Sequence, residues 1–107
     1  MNQTLKILQP CGILDDINTN KLHQYIHNFV EDGVDIILVD FEKITLINSS
    51  GIGALASTIK TVKIAGCQLC ICSINAQVRM ILELTKMDRL LKIFANRKEF
   101  EKQVFFA

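Results

Sequence analysis

The sequence predicts a single α/β domain spanning residues 1–107, with a mixed, mostly parallel β-sheet of roughly four to five strands and about four α-helices. Three observations carry that reading. The run Ile36-Ile37-Leu38-Val39 is apolar at every position, as a central strand covered on both faces requires. Stretches with apolar residues at helical spacing separate the strand-like runs, and strands alternating with helices imply right-handed crossovers. Half of the residues are hydrophobic and 21% are charged, which suits one packed core and is too apolar for a disordered chain.

The elements follow in the order ββαβαβαβα. Thr4 to Leu8 reads as a short strand ended by Pro10, the single proline. Gly12-Ile13-Leu14 reads as a second strand or as the return arm of a hairpin. Leu22, Tyr25, Ile26, Phe29 and Val30 form one face of an amphipathic helix, with Asn18 or Thr19 as its cap and Gly33 as its left-handed stop. Ile36 to Asp40 is the central strand, followed by a short connection. Ile52, Leu55, Ile59 and Val62 make a second helical stripe, closed by Gly66. Gln68 to Ser73 is another buried strand, and Val78, Ile81, Leu82 and Thr85 define a third helix capped by Asn75. Leu91 to Phe94 is a short last strand, and Arg97 to about Phe105 is a final helix.

Composition narrows the function. Twelve basic and 11 acidic side chains are distributed along the chain without a basic arm, so neither nucleic acid nor an anionic membrane is an expected partner. No apolar run is long enough to insert into a bilayer, and the first residues lack a secretory h-region, which points to a cytoplasmic protein. Four cysteines could pair in three ways, but without an export signal reduced thiols are expected. Cys67-x-x-Cys70-x-Cys72 has no second ligand pair at zinc-site spacing, and a strand would turn Cys70 and Cys72 to one face, so they read as buried structural thiols. His23 and His27 stand four apart, as in some zinc sites, yet Gln24 occupies the place of a metalloprotease glutamate. Both histidines read as a solvated helix flank, and Asp15-Asp16 as turn residues. There is no GxxxxGK[ST], GxGxxG or GxSxG motif, so no catalytic residue, metal or cofactor is expected.

The most informative stretch is Asn48-Ser49-Ser50-Gly51-Ile52-Gly53, a polar turn opening directly into the second helix. Ser49 would sit at the helix start, where unpaired N–H groups and the helix dipole favour a phosphate. Gly51 and Gly53 would let a large partner approach the backbone. The plainer alternative is that the serines only cap the helix and the glycines only permit the turn.

The same turn resembles the Asp-Ser-Ser/Thr-Gly-Leu-Gly turn of STAS domains, the anti-sigma factor antagonist family. Gly12-Ile13-Leu14-Asp15 resembles the family's Gly-x-Leu-Asp, Val39-Asp40 its apolar-Asp strand end, and Leu84-Thr85-Lys86-Met87-Asp88-Arg89-Leu90 its Leu-Thr-Gly-Leu-Asp-Arg-Leu segment. The likeness extends over nearly the whole chain. It implies a STAS-type fold and a switch in which the serine after the turn's acidic residue, here Ser49, is phosphorylated by a serine-kinase anti-sigma factor and dephosphorylated by a PPM-type phosphatase. The unphosphorylated domain would bind the kinase. Asp15, Asn48, Ser50, Gly51, Ile52 and Gly53 would shape the partner-binding surface. Asn48 stands where the antagonists have aspartate, and Lys86 where they have a small residue. The competing expectation is a constitutive STAS scaffold or subunit, in signalling or lipid-transport complexes, with Ser49 only a helix cap. At the C-terminus, Phe100 and Val104 would pack on the sheet, while Phe105 and Phe106 would either cover the core or support a homo-oligomer.

Overall fold

A computed structural model describes residues 3–104. Along the chain run β1 (Leu5–Leu8), β2 (Cys11–Leu14), α1 (Asp16–Glu31), β3 (Ile36–Asp40), β4 (Lys43–Ile47) and α2 (Ser49–Ala65). They are followed by β5 (Gln68–Cys72), α3 (Ala76–Leu84), a single 3₁₀ turn (Met87–Arg89), β6 (Lys92–Phe94) and α4 (Arg97–Val104). The main sheet has the order β1-β3-β5-β6, and β2 pairs separately with β4. All four pairings among the described residues are parallel.

The pleat explains how two cores share one sheet. Along β3, Ile37 and Val39 point into the larger core beneath α1, α2 and α3, while Ile36 and Leu38 point into the smaller core beneath α4. In β5, Leu69 and Ile71 join the first core, and Cys70 and Cys72 join the second. Both thiols are fully buried, and burial pushes Cys70 up to about 11. Among the remaining cysteines, Cys67 is half-buried and Cys11 is exposed, so the buried-thiol expectation holds for the strand pair alone.

Several expectations are corrected. Gly12-Ile13-Leu14 is not the return arm of a hairpin: Pro10 offers no ladder donor, Gly12 takes φ +83°, and the chain leaves the sheet to pair with β4 instead. The connection after β3 contains a strand of its own, β4, so the order becomes ββαββαβαβα. Helix α1 starts earlier than its apolar stripe suggests. Its cap is Asp15, whose Oδ1 accepts from the Asn18 amide at 2.8 Å, and neither Asn18 nor Thr19 caps it. Thr19 is fully buried, whereas Tyr25 is exposed and lies outside the packed face. His23 is not on a solvated flank. Its Nδ1 donates to Thr58 Oγ1 at 2.8 Å across the α1–α2 contact, and that hydroxyl in turn donates to the Ala54 carbonyl. His27 remains exposed beside Glu31. Lys86 adopts φ +60°, a left-handed conformation that costs a non-glycine residue energy, which accounts for the glycine at that place in the motif it resembles. Phe105 and Phe106 lie outside the described residues.

Asp40 ends β3 with its side chain almost wholly buried. It accepts from Arg97 Nε at 2.7 Å, the Glu42 amide at 3.0 Å and Gln9 Nε2 at 3.1 Å, pinning the start of α4 to the sheet. Burial pushes its carboxyl up, but the hydrogen bonds from Glu42, Arg97 and Gln9 and the Arg97 charge outweigh that and hold it below its ordinary value. A carboxyl lowered by folding contributes stability above its unfolded value, and that contribution is lost as pH falls through the folded one. Urea unfolding of wild type and Asp40→Asn should therefore show a clear gap at about pH 6 that narrows by about pH 3. A gap independent of pH would show that the carboxylate charge contributes nothing.

Candidate functional site

The site is built where β2 and β4 end. The two strands run in parallel, with Leu14 opposite Ile47, so the residues that follow them, Asp15 and Asn48, leave the ladder side by side. Each caps the helix that comes next: Asp15 for α1 and Asn48 for α2. Two helix N-termini therefore open on the same surface, and α1 and α2 pack against each other behind it.

Asn48 makes the turn. Its Oδ1 accepts from the Gly51 amide at 2.9 Å, its carbonyl accepts from Ile52, and its own amide donates to the Leu14 carbonyl at 3.2 Å. The cap is thus Asn48, and the expectation that Ser49 serves as cap is corrected. Ser49 and Ser50 occupy the first two helical positions, both exposed. At those positions the N–H groups have no intrahelical acceptor. Since Asn48 satisfies Gly51 and Ile52, the Ser49 and Ser50 amides are the ones left facing outward.

The two glycines have different roles. A Cβ on Gly51 would lie 1.9 Å from the Leu14 carbonyl oxygen and 3.2 Å from Ile47 Cγ1, so the missing side chain lets α2 seat against β2. The expectation that Gly51 opens the backbone to a partner is therefore corrected: that space is filled from within. Gly53 is exposed, with nothing within 4 Å of its Cβ position, and does leave the helix surface open. Ile52 is half-buried and packs against the larger core. Asn48, Ser50 and Gly53 are thus exposed along with Ser49, Asp15 is partly exposed at the end of the neighbouring strand, and Gly51 and Ile52 hold the turn from below.

The start of α3 buttresses the same strand, a role with no signal in the sequence. Gln77 bonds Ile47 twice: Oε1 accepts from its amide at 3.1 Å and Nε2 donates to its carbonyl at 3.3 Å, as a neighbouring strand would. Asn75, besides accepting from the Val78 amide as the α3 cap, donates through Nδ2 to the carbonyls of Ile44 and Thr45. These contacts close the free edge of β4 immediately before the serine turn. Among the described residues no group of three His, Cys, Asp or Glu side chains could hold a metal ion, and no helix is long and apolar enough to cross a membrane.

Comparison with known proteins places this geometry. The STAS domain family model matches residues 2–100. A Thermotoga neapolitana protein named as a candidate anti-sigma factor antagonist is 26% identical over 99 residues, covering 92% of this chain and 88% of its own. The crystal structure of a Thermotoga maritima protein, also named as a candidate anti-sigma factor antagonist, matches with a TM-score of 0.83 at 25% identity, over 94% of this chain and 86% of that one. A sulfate transporter family protein from Wolinella succinogenes shares the fold, with a TM-score of 0.79 at 13% identity over 89% of this chain and 80% of that one. With a family match over nearly its whole length and the fold to go with it, the chain belongs to the STAS domain family.

Proposed function

We propose that this chain is a phospho-regulated protein-binding switch of the anti-sigma factor antagonist kind, acting in the cytoplasm, with Ser49 as the phosphorylated residue. In its unphosphorylated form it binds a serine-kinase anti-sigma factor, phosphorylation releases it, and a PPM-type phosphatase restores it. The observation that carries the reading is that Ser49 is exposed at the first position of α2 while Asn48 does the capping. The hydroxyl is therefore free of a structural duty and stands among outward-facing amides.

The switch is electrostatic. A phosphate adds roughly −1.5 to −2 charges at neutral pH. The Ser49 and Ser50 amides and the α2 dipole stabilise it locally, so the fold tolerates it. On a docked surface the same charge has to be desolvated or repelled, and each tenfold of affinity lost corresponds to about 1.4 kcal/mol. Asn48 preserves the cap that an aspartate would provide while removing a negative charge beside the phosphate.

The test is a titration of purified serine-kinase anti-sigma factors from the source genome with wild type, Ser49→Ala and Ser49→Asp. Ser49→Ala should bind as wild type does, and Ser49→Asp at least about tenfold more weakly. The same titration separates the second reading, a constitutive scaffold or subunit, which the likeness to a sulfate transporter family protein favours. That reading requires all three chains to behave identically.

A further inference from the structure

At the opposite end of the main sheet, where β5 and β6 begin, a cleft of about 310 Å³ opens between the C-terminal half of α2 and the segment from Arg89 to Lys92. Its volume is at the small end of the roughly 300–1,000 Å³ typical of ligand sites. The apolar wall is aliphatic, with Val62, Leu69 and Leu91 buried in it, and no aromatic ring lines it on which a base could stack. Three cations, Lys63, Arg89 and Lys92, also line it, and no acidic side chain does. All three are exposed, and among the described residues none is ion-paired with a carboxylate. Asp35, whose charge reaches the Cys67 thiol at the cleft, is taken up by the amide and hydroxyl of Thr4 at 2.9 and 3.2 Å. In a chain of net charge +1 this is a local concentration of unbalanced positive charge beside a concave aliphatic surface.

We propose that this cleft binds a small aliphatic anion, a monomeric amphiphile with a phosphate or carboxylate head held by Lys63, Arg89 and Lys92 and a short hydrocarbon body against the exposed Leu90 and the margins of Leu69 and Leu91. The charges select the head, and the absence of aromatic rings selects an aliphatic body over a nucleotide. The site is remote from Ser49 and independent of the switch. Occupancy ties the C-terminal half of α2 to the segment between α3 and β6.

The cysteines supply the test. Cys67 lines the cleft, whereas Cys11 is exposed elsewhere on the molecule, so their alkylation rates in one sample report occupancy against a control. Octyl phosphate, kept below its micellar concentration, should slow iodoacetamide labelling of Cys67 saturably and leave Cys11 unchanged. Lys63→Gln and Lys92→Gln, both at exposed positions, should keep the wild-type circular dichroism and each weaken the protection about fivefold. Octyltrimethylammonium and inorganic phosphate should give no protection at the same concentrations. The proposal is overturned by unprotected Cys67, by equal slowing of both thiols, or by protection from the octyl cation or phosphate alone that matches octyl phosphate.

Discussion

Gly51→Ala should destabilise the domain by about 3 kcal/mol, at the upper end of what one extra methyl group costs in a packed site. The added carbon would meet the Leu14 carbonyl oxygen at 1.9 Å and its carbon at 2.8 Å, and a backbone cannot rotate away as a side chain can. Relief requires α2 to lift from β2, which would break the Asn48 amide bond to Leu14 and the pairing of β2 with β4 at Leu14 and Ile47. Gly53→Ala, two residues on in the same helix, is the internal control. Nothing lies within 4 Å of its Cβ position, so it should gain roughly 0.5–1 kcal/mol from helix propensity. Urea unfolding of the two variants checks the pair. Similar behaviour would mean that the close seating of α2 on Leu14 is not a feature of the folded protein. Domains of this size are stable by only about 5–15 kcal/mol, so a loss of about 3 kcal/mol is a large share of the total and acts on the serine turn through its support.

Phe100→Ala should cost about 3–5 kcal/mol, the usual loss for an aromatic side chain deleted from a core. Phe100 is fully buried and meets Phe94 edge-on at 5.4 Å between ring centroids. With Ile36, Leu38, Cys70 and Cys72 it fills the smaller core, against which Leu5 and Val104 also pack. Losing it exposes the second face of β3 and β5, so the variant should also alkylate Cys70 and Cys72, which are protected in the wild type. Rapid labelling of those thiols with little change in stability would mean that α4 is a loosely held appendage. Intact stability with no labelling would mean that the smaller core does not depend on Phe100.

The legible parts of the fold are those in which one period runs unbroken. The apolar run of β3, the stripes of α2 and α3, and the left-handed stops at Gly33 and Gly66 could all be read because local chemistry and tertiary packing agree. Strand β4 could not be read from alternation. Between Gly12 opposite Ile44 and Ile13 opposite Leu46, Thr45 is an extra residue, so the inward positions Ile44 and Ile47 fall three apart instead of two. The bulge leaves carbonyls without a neighbouring strand, and Asn75, far along the chain, supplies the donors. The same applies to Gln77, whose role exists only once α3 lies against β4. In α1 the cap lies ahead of the position the apolar stripe suggests, because the stripe begins at Leu22, whereas the first turn carries the polar Thr19 into the core and leaves Ile17 exposed.

The candidate turn was legible as a unit, and its internal division of labour was not. Capping chemistry permits Asn48 or either serine, and only the bond from the Gly51 amide to Asn48 assigns it. The motif likewise marks Gly51 and Gly53 as a pair, but one is closed against Leu14 and the other is open to solvent. That contrast depends on how β2 and α2 meet, a long-range contact that a local motif does not encode.

Whether Ser49 carries a reversible charge, as proposed, is decided by intact-mass measurement with peptide mapping of the protein isolated from its own cells. The expected result is a single phosphate on Ser49, absent from Ser50, whose occupancy changes between growth and starvation. Protein that stays unmodified at Ser49 in every condition, or that carries its phosphate elsewhere, would contradict the switch and leave a constitutive STAS scaffold.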